Sequence, residues 1–172
     1  AYQGLPAQGY TEMFHQMLND VQVFLATGIE EWKNSKADIK VYTGKIDELY
    51  DYTYGKLSYR SLEFKFEKKP RLLSAQINEC NSSTSITRRV DHGYWYDVDS
   101  DHSVISEEHA IAHNESNIPY YPIGSLENLI LYKRYKTLAA KSNTILSGRL
   151  ATFKYLDMDQ AIAQAIKAIQ YD

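Results

Sequence analysis

Between positions 62 and 67 the chain alternates strictly, with apolar Leu62, Phe64 and Phe66 set between charged Glu63, Lys65 and Glu67. Only an extended backbone, whose side chains point to opposite faces in turn, gathers three such residues on one side. The pattern predicts a half-buried strand. Strand-like segments at residues 73–77, 86–96 and 103–110 follow at hairpin-like intervals, which predicts an antiparallel sheet in the middle of the chain. Ahead of it, residues 11–18 read as a short helix after a turn at Gly9, and residues 21–26 and 39–42 read as strands. Residues 47–54 carry no alternation and read as a coil or helical turn before Gly55.

Helical spacing returns after the sheet. Ser125 is placed to cap a helix whose Leu131, Tyr135 and Leu138 share one face, with Lys133, Arg134 and Lys136 on the polar side; it should end near Ser142. Residues 144–146 read as a short strand closed by Gly148. Asp157 with Gln160 three residues on forms a capping-box pattern at the head of a last helix, whose Ile162, Ile166 and Ile169 are expected to be its buried stripe. The fold class predicted is α+β, a mainly antiparallel central sheet with flanking helices. No internal domain boundary or repeat is visible, so residues 1–172 read as one domain.

Composition excludes several function classes. With 19 Lys plus Arg against 22 Asp plus Glu, the net charge of −3 offers no basic field for a nucleic acid. No stretch has the length of apolar residues that a membrane span requires, and the lone Cys80 cannot close an internal disulfide, which predicts a cytoplasmic protein. The outlier is tyrosine, at 15 residues. Its flat apolar ring and its hydroxyl suit sugars, bases and phosphates, although tyrosine also fills sheet faces for structural reasons alone.

Four local patterns occur in order along the chain. Gly9-Tyr10-Thr11 precedes Met13-Phe14; Tyr42-Thr43-Gly44 is followed by Ile46-Asp47, Asp51-Tyr52, Gly55, Leu57 and Tyr59-Arg60-Ser61; Pro119-Tyr120-Tyr121-Pro122 precedes the capped helix; Gly148-Arg149-Leu150 leads to Lys154-Tyr155 and Asp157-Met158-Asp159-Gln160. In this order and spacing the chain resembles the C-terminal half of the UDP-galactopyranose mutases, as a divergent member.

The resemblance implies a flavoenzyme that interconverts UDP-galactopyranose and UDP-galactofuranose for cell-surface polysaccharide, with reduced FAD attacking the anomeric carbon through N5 and displacing UDP. The protein's share is then positioning and electrostatics rather than acid–base chemistry. On matching positions it implies that Tyr10, Tyr121 and Tyr155 face the substrate, the last two donating to diphosphate oxygens, with Asp157 beside them. It implies further that Arg149 and Met158 face the flavin. Asp157 is equally well explained as a helix cap, and the two roles are compatible. A homodimer is also implied.

Two departures qualify this, and two metal-like patterns are set aside. Where the mutases have an arginine before a glutamate, this sequence has Glu107 before Glu108; a carboxylate in place of a diphosphate clamp would turn about 4 kcal/mol of attraction at 4 Å into repulsion. Arg88 or Arg89 on the preceding strand is expected to compensate. No G-x-G-x-x-G turn occurs, so the FAD-anchoring segment is expected to be missing and the chain to be a C-terminal portion that holds FAD poorly and is inactive alone. Asp97, Asp99, Asp101 and Glu108 have calcium-loop spacing, but His102 stands where the loop needs glycine, and His92, His102, His109 and His113 lack a metal-ligand spacing, so no metal is expected. Two further readings stay open: a mutase on another nucleotide sugar, and a non-catalytic nucleotide-sugar-binding homologue.

Overall fold

The computed structural model describes residues 4–96 and 99–170. It begins with α1 (Gly9–Met17) and α2 (Ile29–Asn34), then β1 (Lys40–Tyr42) and the short α3 (Ile46–Leu49). The sheet strands follow: β2 (Tyr59–Pro70), β3 (Gln76–Asn78), β4 (Ile86–Asp91), β5 (His102–Ala112) and β6 (Tyr121–Pro122). The chain then forms α4 (Leu126–Ala139), β7 (Thr144–Leu146), α5 (Gly148–Ala151) and α6 (Met158–Ile169). The class is the mixed, mainly antiparallel one expected. The principal sheet has the order β3-β4-β5-β2-β6, with antiparallel neighbours throughout.

The alternating segment lies within β2, which pairs with β5 from Arg60↔Ala112 to Pro70↔His102. Its apolar face is not half-buried as expected, since Phe64 and Phe66 are 38% and 64% exposed. The period fixes which residues share a face but does not supply a covering layer, and these rings meet only one another at 6.3 Å, Tyr120 at 5.9 Å and His92 at 6.1 Å among the described ring contacts. β4 is also shorter than predicted. The Asp91 carboxylate accepts the Gly93 N–H at 2.9 Å and starts a single 3-10 turn at His92–Tyr94.

Two other expectations fail for the same physical reason. Residues 21–26 form no strand; Val21, Val23, Phe24 and Leu25 are exposed and Ala26 turns to a φ of 53°. An apolar run becomes a strand only where a neighbour completes its hydrogen bonds. In α6 the stripe Ile162, Ile166 and Ile169 is 61%, 49% and 71% exposed rather than buried. Strand β1 is present but joins β7 as a separate parallel pair, Lys40↔Thr144 to Tyr42↔Leu146. Asp97 of the acidic turn lies outside the described residues, whereas Glu108 sits within β5 and pairs with Arg88 at 3.5 Å.

The core lies where the start of β2 meets α3, α4 and α5. Ile46, Leu57, Tyr59, Tyr135, Ala139 and Phe153 are buried there, with Leu131, Tyr132 and Leu150 packed around them. Ser125 caps α4 by accepting the Asn128 N–H at 3.3 Å, and Tyr135 on its inner face donates its hydroxyl to Gly55 O at 2.7 Å and accepts from Tyr54 N at 3.0 Å. Among the described residues no helix is long and apolar enough to cross a membrane.

Candidate functional site

The site is assembled from two segments that the core holds side by side. One is Tyr120–Tyr121, carried onto the sheet edge when β6 pairs with β2 through Tyr59↔Pro122 and Arg60↔Tyr121. The other is the turn from α5 to α6. Gly148 opens α5 at a φ of 81°, a left-handed conformation that glycine adopts without a side-chain clash, and its N–H donates to Gln164 Oε1 of α6 at 2.7 Å. Phe153, at a φ of 49°, accepts similar strain because its ring is fixed against Tyr132 at 5.5 Å and Tyr59 at 5.5 Å. The turn so pinned delivers Tyr155 beside Tyr121.

The two phenol rings lie 5.6 Å apart at an interplanar angle of 13°. Arg149 sits over both, its guanidinium carbon 4.9 Å from the Tyr121 ring centre and 4.7 Å from that of Tyr155. A cavity of about 220 Å³ opens against the pair, lined by Arg60, Leu62, Arg88, Glu108, Tyr121 and Tyr155 among others. Two guanidinium groups, of Arg60 and Arg88, and two phenols therefore converge on one small volume, with Glu108 the single carboxylate in its lining and Arg149 over the two rings. Such a set suits a doubly charged, oxygen-rich group: arginine gives paired N–H donors, and a phenol gives a donor without a charge to desolvate.

Of the predicted site residues, Tyr121, Tyr155 and Arg149 are brought together. Asp157 and Met158 stand just beyond Tyr155 at the head of α6, where the expected capping box forms and the Asp157 N–H donates to Gln160 Oε1 at 3.0 Å. Met158 is 67% exposed. Tyr10 lies on α1 with none of the ring contacts that link Tyr121, Tyr155 and Arg149 among the described residues.

Register decides which face Glu107 occupies. β5 pairs Lys65↔Glu107 and Phe64↔Glu108, so the two glutamates point to opposite faces. Glu107 faces away from the tyrosine cavity and meets Arg89 at 3.3 Å and Lys69 at 3.5 Å. Burial pushes its carboxyl up, but hydrogen bonds from Arg89 and the charge and hydrogen bond of Lys69 outweigh this and hold it below its ordinary value. Of the two proposed compensating cations, Arg88 lines the cavity and Arg89 does not. Arg60 carries no local sequence signal that separates it from an ordinary strand arginine, and only the β2–β6 pairing brings it to the site.

Two of the larger cavities lack this convergence of guanidinium groups. One of about 760 Å³ contains Lys45 and Lys56, which pair with Glu48 at 3.5 Å and Glu115 at 2.6 Å. The other, of about 590 Å³, is lined by Phe66, His92, Tyr96 and Val104 with Lys68. Their greater size does not offset the missing charge.

A protein-family model described as UDP-galactopyranose mutase matches residues 1–155. The chain is 35% identical over 172 residues to a probable UDP-galactopyranose mutase of Klebsiella pneumoniae, covering 96% of this chain and 45% of that protein. It is 32% identical over 182 residues to a dTDP-fucopyranose mutase of Escherichia coli, covering 98% and 48%. A UDP-galactopyranose mutase of Mycoplasma genitalium is 34% identical over 189 residues, covering 98% and 47%. The chain thus spans about half the length of these relatives.

Proposed function

The chain belongs to the UDP-galactopyranose mutase family, and from that membership we propose that it is the substrate-facing half of a cytoplasmic, flavin-dependent mutase that converts UDP-galactopyranose to UDP-galactofuranose. The observation that carries the reading is the cavity in which Arg60 and Arg88 meet Tyr121 and Tyr155, with Arg149 over the two rings. In this reading the tyrosine hydroxyls donate to diphosphate oxygens, and Arg60 and Arg88 neutralise them. Arg60 and Arg88 less the Glu108 carboxylate leave the lining one net positive charge, and Arg149 over the rings adds a second beside it, against the two negative charges of a nucleotide sugar's diphosphate. Leaving-group stabilisation of this kind is electrostatic and needs no acid–base pair.

Arg149 and the head of α6 fit a flavin. Two of the guanidinium N–H groups are used within the chain, by Tyr120 O and Leu156 O, which leaves donors for a flavin ring. Met158 and the first backbone N–H groups of the twelve-residue α6 border the same turn. A reduced flavin bound there supplies the nucleophile that the chain's own side chains lack. Tyr10, on α1, belongs to the substrate side of this reading, and two copies of the whole protein are expected to assemble as a dimer.

The test is calorimetric and enzymatic. Arg88→Ala and the double variant Tyr121→Phe with Tyr155→Phe should each weaken UDP binding by about tenfold to a hundredfold, as the loss of charge-assisted hydrogen bonds predicts. Unchanged UDP affinity in both would end the reading. A protein carrying both halves of the relatives' length, loaded with FAD and reduced with dithionite, should interconvert the pyranose and furanose forms.

A second reading, action on another nucleotide sugar, is favoured by the dTDP-fucopyranose mutase among relatives of similar identity. Side-by-side turnover of UDP-galactose and dTDP-fucose by that longer protein decides between them. The non-catalytic reading rests on the loss of the arginine clamp at position 107, and a full-length, FAD-loaded protein that binds no UDP in calorimetry would favour it.

A further inference from the structure

We propose that Arg149 is a positioning residue, a planar clasp that sets the spacing and the parallel alignment of Tyr121 and Tyr155. The proposal rests on the reading of these two phenols as diphosphate donors. Its basis is where the guanidinium spends its hydrogen bonds. Nη1 donates to Tyr120 O at 3.2 Å and Nη2 donates to Leu156 O. Each carbonyl belongs to the residue next to one of the tyrosines, before Tyr121 in one segment and after Tyr155 in the other. One rigid group therefore spans the two chain segments that carry the rings.

The ring contacts agree with this. The guanidinium carbon is 4.9 Å from one ring centre and 4.7 Å from the other, so neither tyrosine is favoured. Both distances lie within the range of cation–π attraction, which draws each ring toward the same plane. The rings show no mutual hydrogen bond among the described residues, and stacking at 5.6 Å between centres is a weak restraint by itself. The clasp has a firm base as well. Arg149 follows Gly148, whose N–H is held by Gln164 and whose carbonyl accepts the Thr152 hydroxyl at 2.7 Å.

Lysine is the discriminating replacement. It keeps the positive charge beside the diphosphate but has a single tetrahedral head, which cannot donate to both carbonyls while stacking on both rings. Tyrosine-labelled protein is examined by NMR for contacts between the two rings, and UDP affinity is measured on the same samples without flavin.

The expected result is that Arg149→Lys loses the Tyr121–Tyr155 ring contacts and binds UDP about tenfold more weakly, while its melting temperature stays within about 3 °C of the parent. In a background of Tyr121→Phe with Tyr155→Phe, adding Arg149→Lys should weaken UDP binding by less than about twofold, because the positioned hydroxyls are gone. Persistence of the ring contacts in Arg149→Lys overturns the clasp, as does an equal loss of affinity in the two backgrounds. Loss of the ring contacts with full UDP affinity in the double phenylalanine variant instead upholds the clasp and overturns the diphosphate role of the tyrosines.

Discussion

Asp47 and Asp91 are almost wholly buried, and each is answered by donors rather than by water. Asp47 accepts the Leu57 N–H at 2.9 Å and the Tyr59 hydroxyl at 3.4 Å, and burial, with Asp47 next in importance, pushes the Tyr59 phenol far above its ordinary value, so it remains a donor. Asp47→Ala strands both donors inside the core and should cost about 2–4 kcal/mol in urea unfolding. Asp91 differs in carrying a cation. Burial alone would raise its carboxyl, but Ser103, Arg71 and the N–H groups of Leu72 and Gly93 reverse this and lower it from 3.8 to about 2. A carboxyl lowered on folding stabilises the native state at pH values above its unfolded value and loses that stabilisation as the pH falls through the folded one. Stability should therefore drop between about pH 4 and pH 2, by about 2 kcal/mol. Asp91→Asn should flatten that part of the unfolding curve.

At the scale of elements, the register of β5 against β2 and β4 separates a structural charge pair from a functional one. Glu107→Arg would place three cations together on the face where Arg89 and Lys69 now share one carboxylate. It should lower stability by about 1–3 kcal/mol and leave UDP affinity within about twofold, because the site is on the other face. A gain in UDP affinity would show that the side chain reaches the cavity. Strand β2, β5, the capped α4 and the head of α6 were all legible in the sequence, since their signals are local: a period of two, a serine cap, a capping-box glutamine. Motif order marked Tyr121, Tyr155 and Arg149, which the fold brings together, and also Tyr10, which it does not join to them. Which of Glu107 and Glu108, or of Arg88 and Arg89, faces the site was not, because a shift of one residue exchanges the faces and only strand pairing decides it. Residues 21–26 and the stripe of α6 misled for a related reason. Hydrophobicity marks a face, and a partner elsewhere must decide whether that face is buried.

For the molecule as a whole, stability is uneven. The β2–β5 ladder is long and joins a five-stranded sheet, whereas β1 and β7 form a parallel pair of three residues each, a type of sheet that usually has both faces covered. Backbone amides of β1 and β7 should exchange with deuterium at least about tenfold faster than those of Tyr59 to Ser61, where β2 enters the main core. The outer face of α6 carries the corresponding side-chain signature. Ile162 and Ile166 are 61% and 49% exposed on a helix anchored through Gln164 rather than through its apolar stripe. Replacing both isoleucines by glutamine removes little buried area and keeps the Gln164 hydrogen bond, so the urea unfolding free energy should change by no more than about 0.5 kcal/mol. Fluorescence of an apolar dye such as anilinonaphthalene sulfonate should fall in the same variant, because an exposed apolar patch is what such a dye reports. A loss near 3 kcal/mol would mean that these side chains are packed in solution.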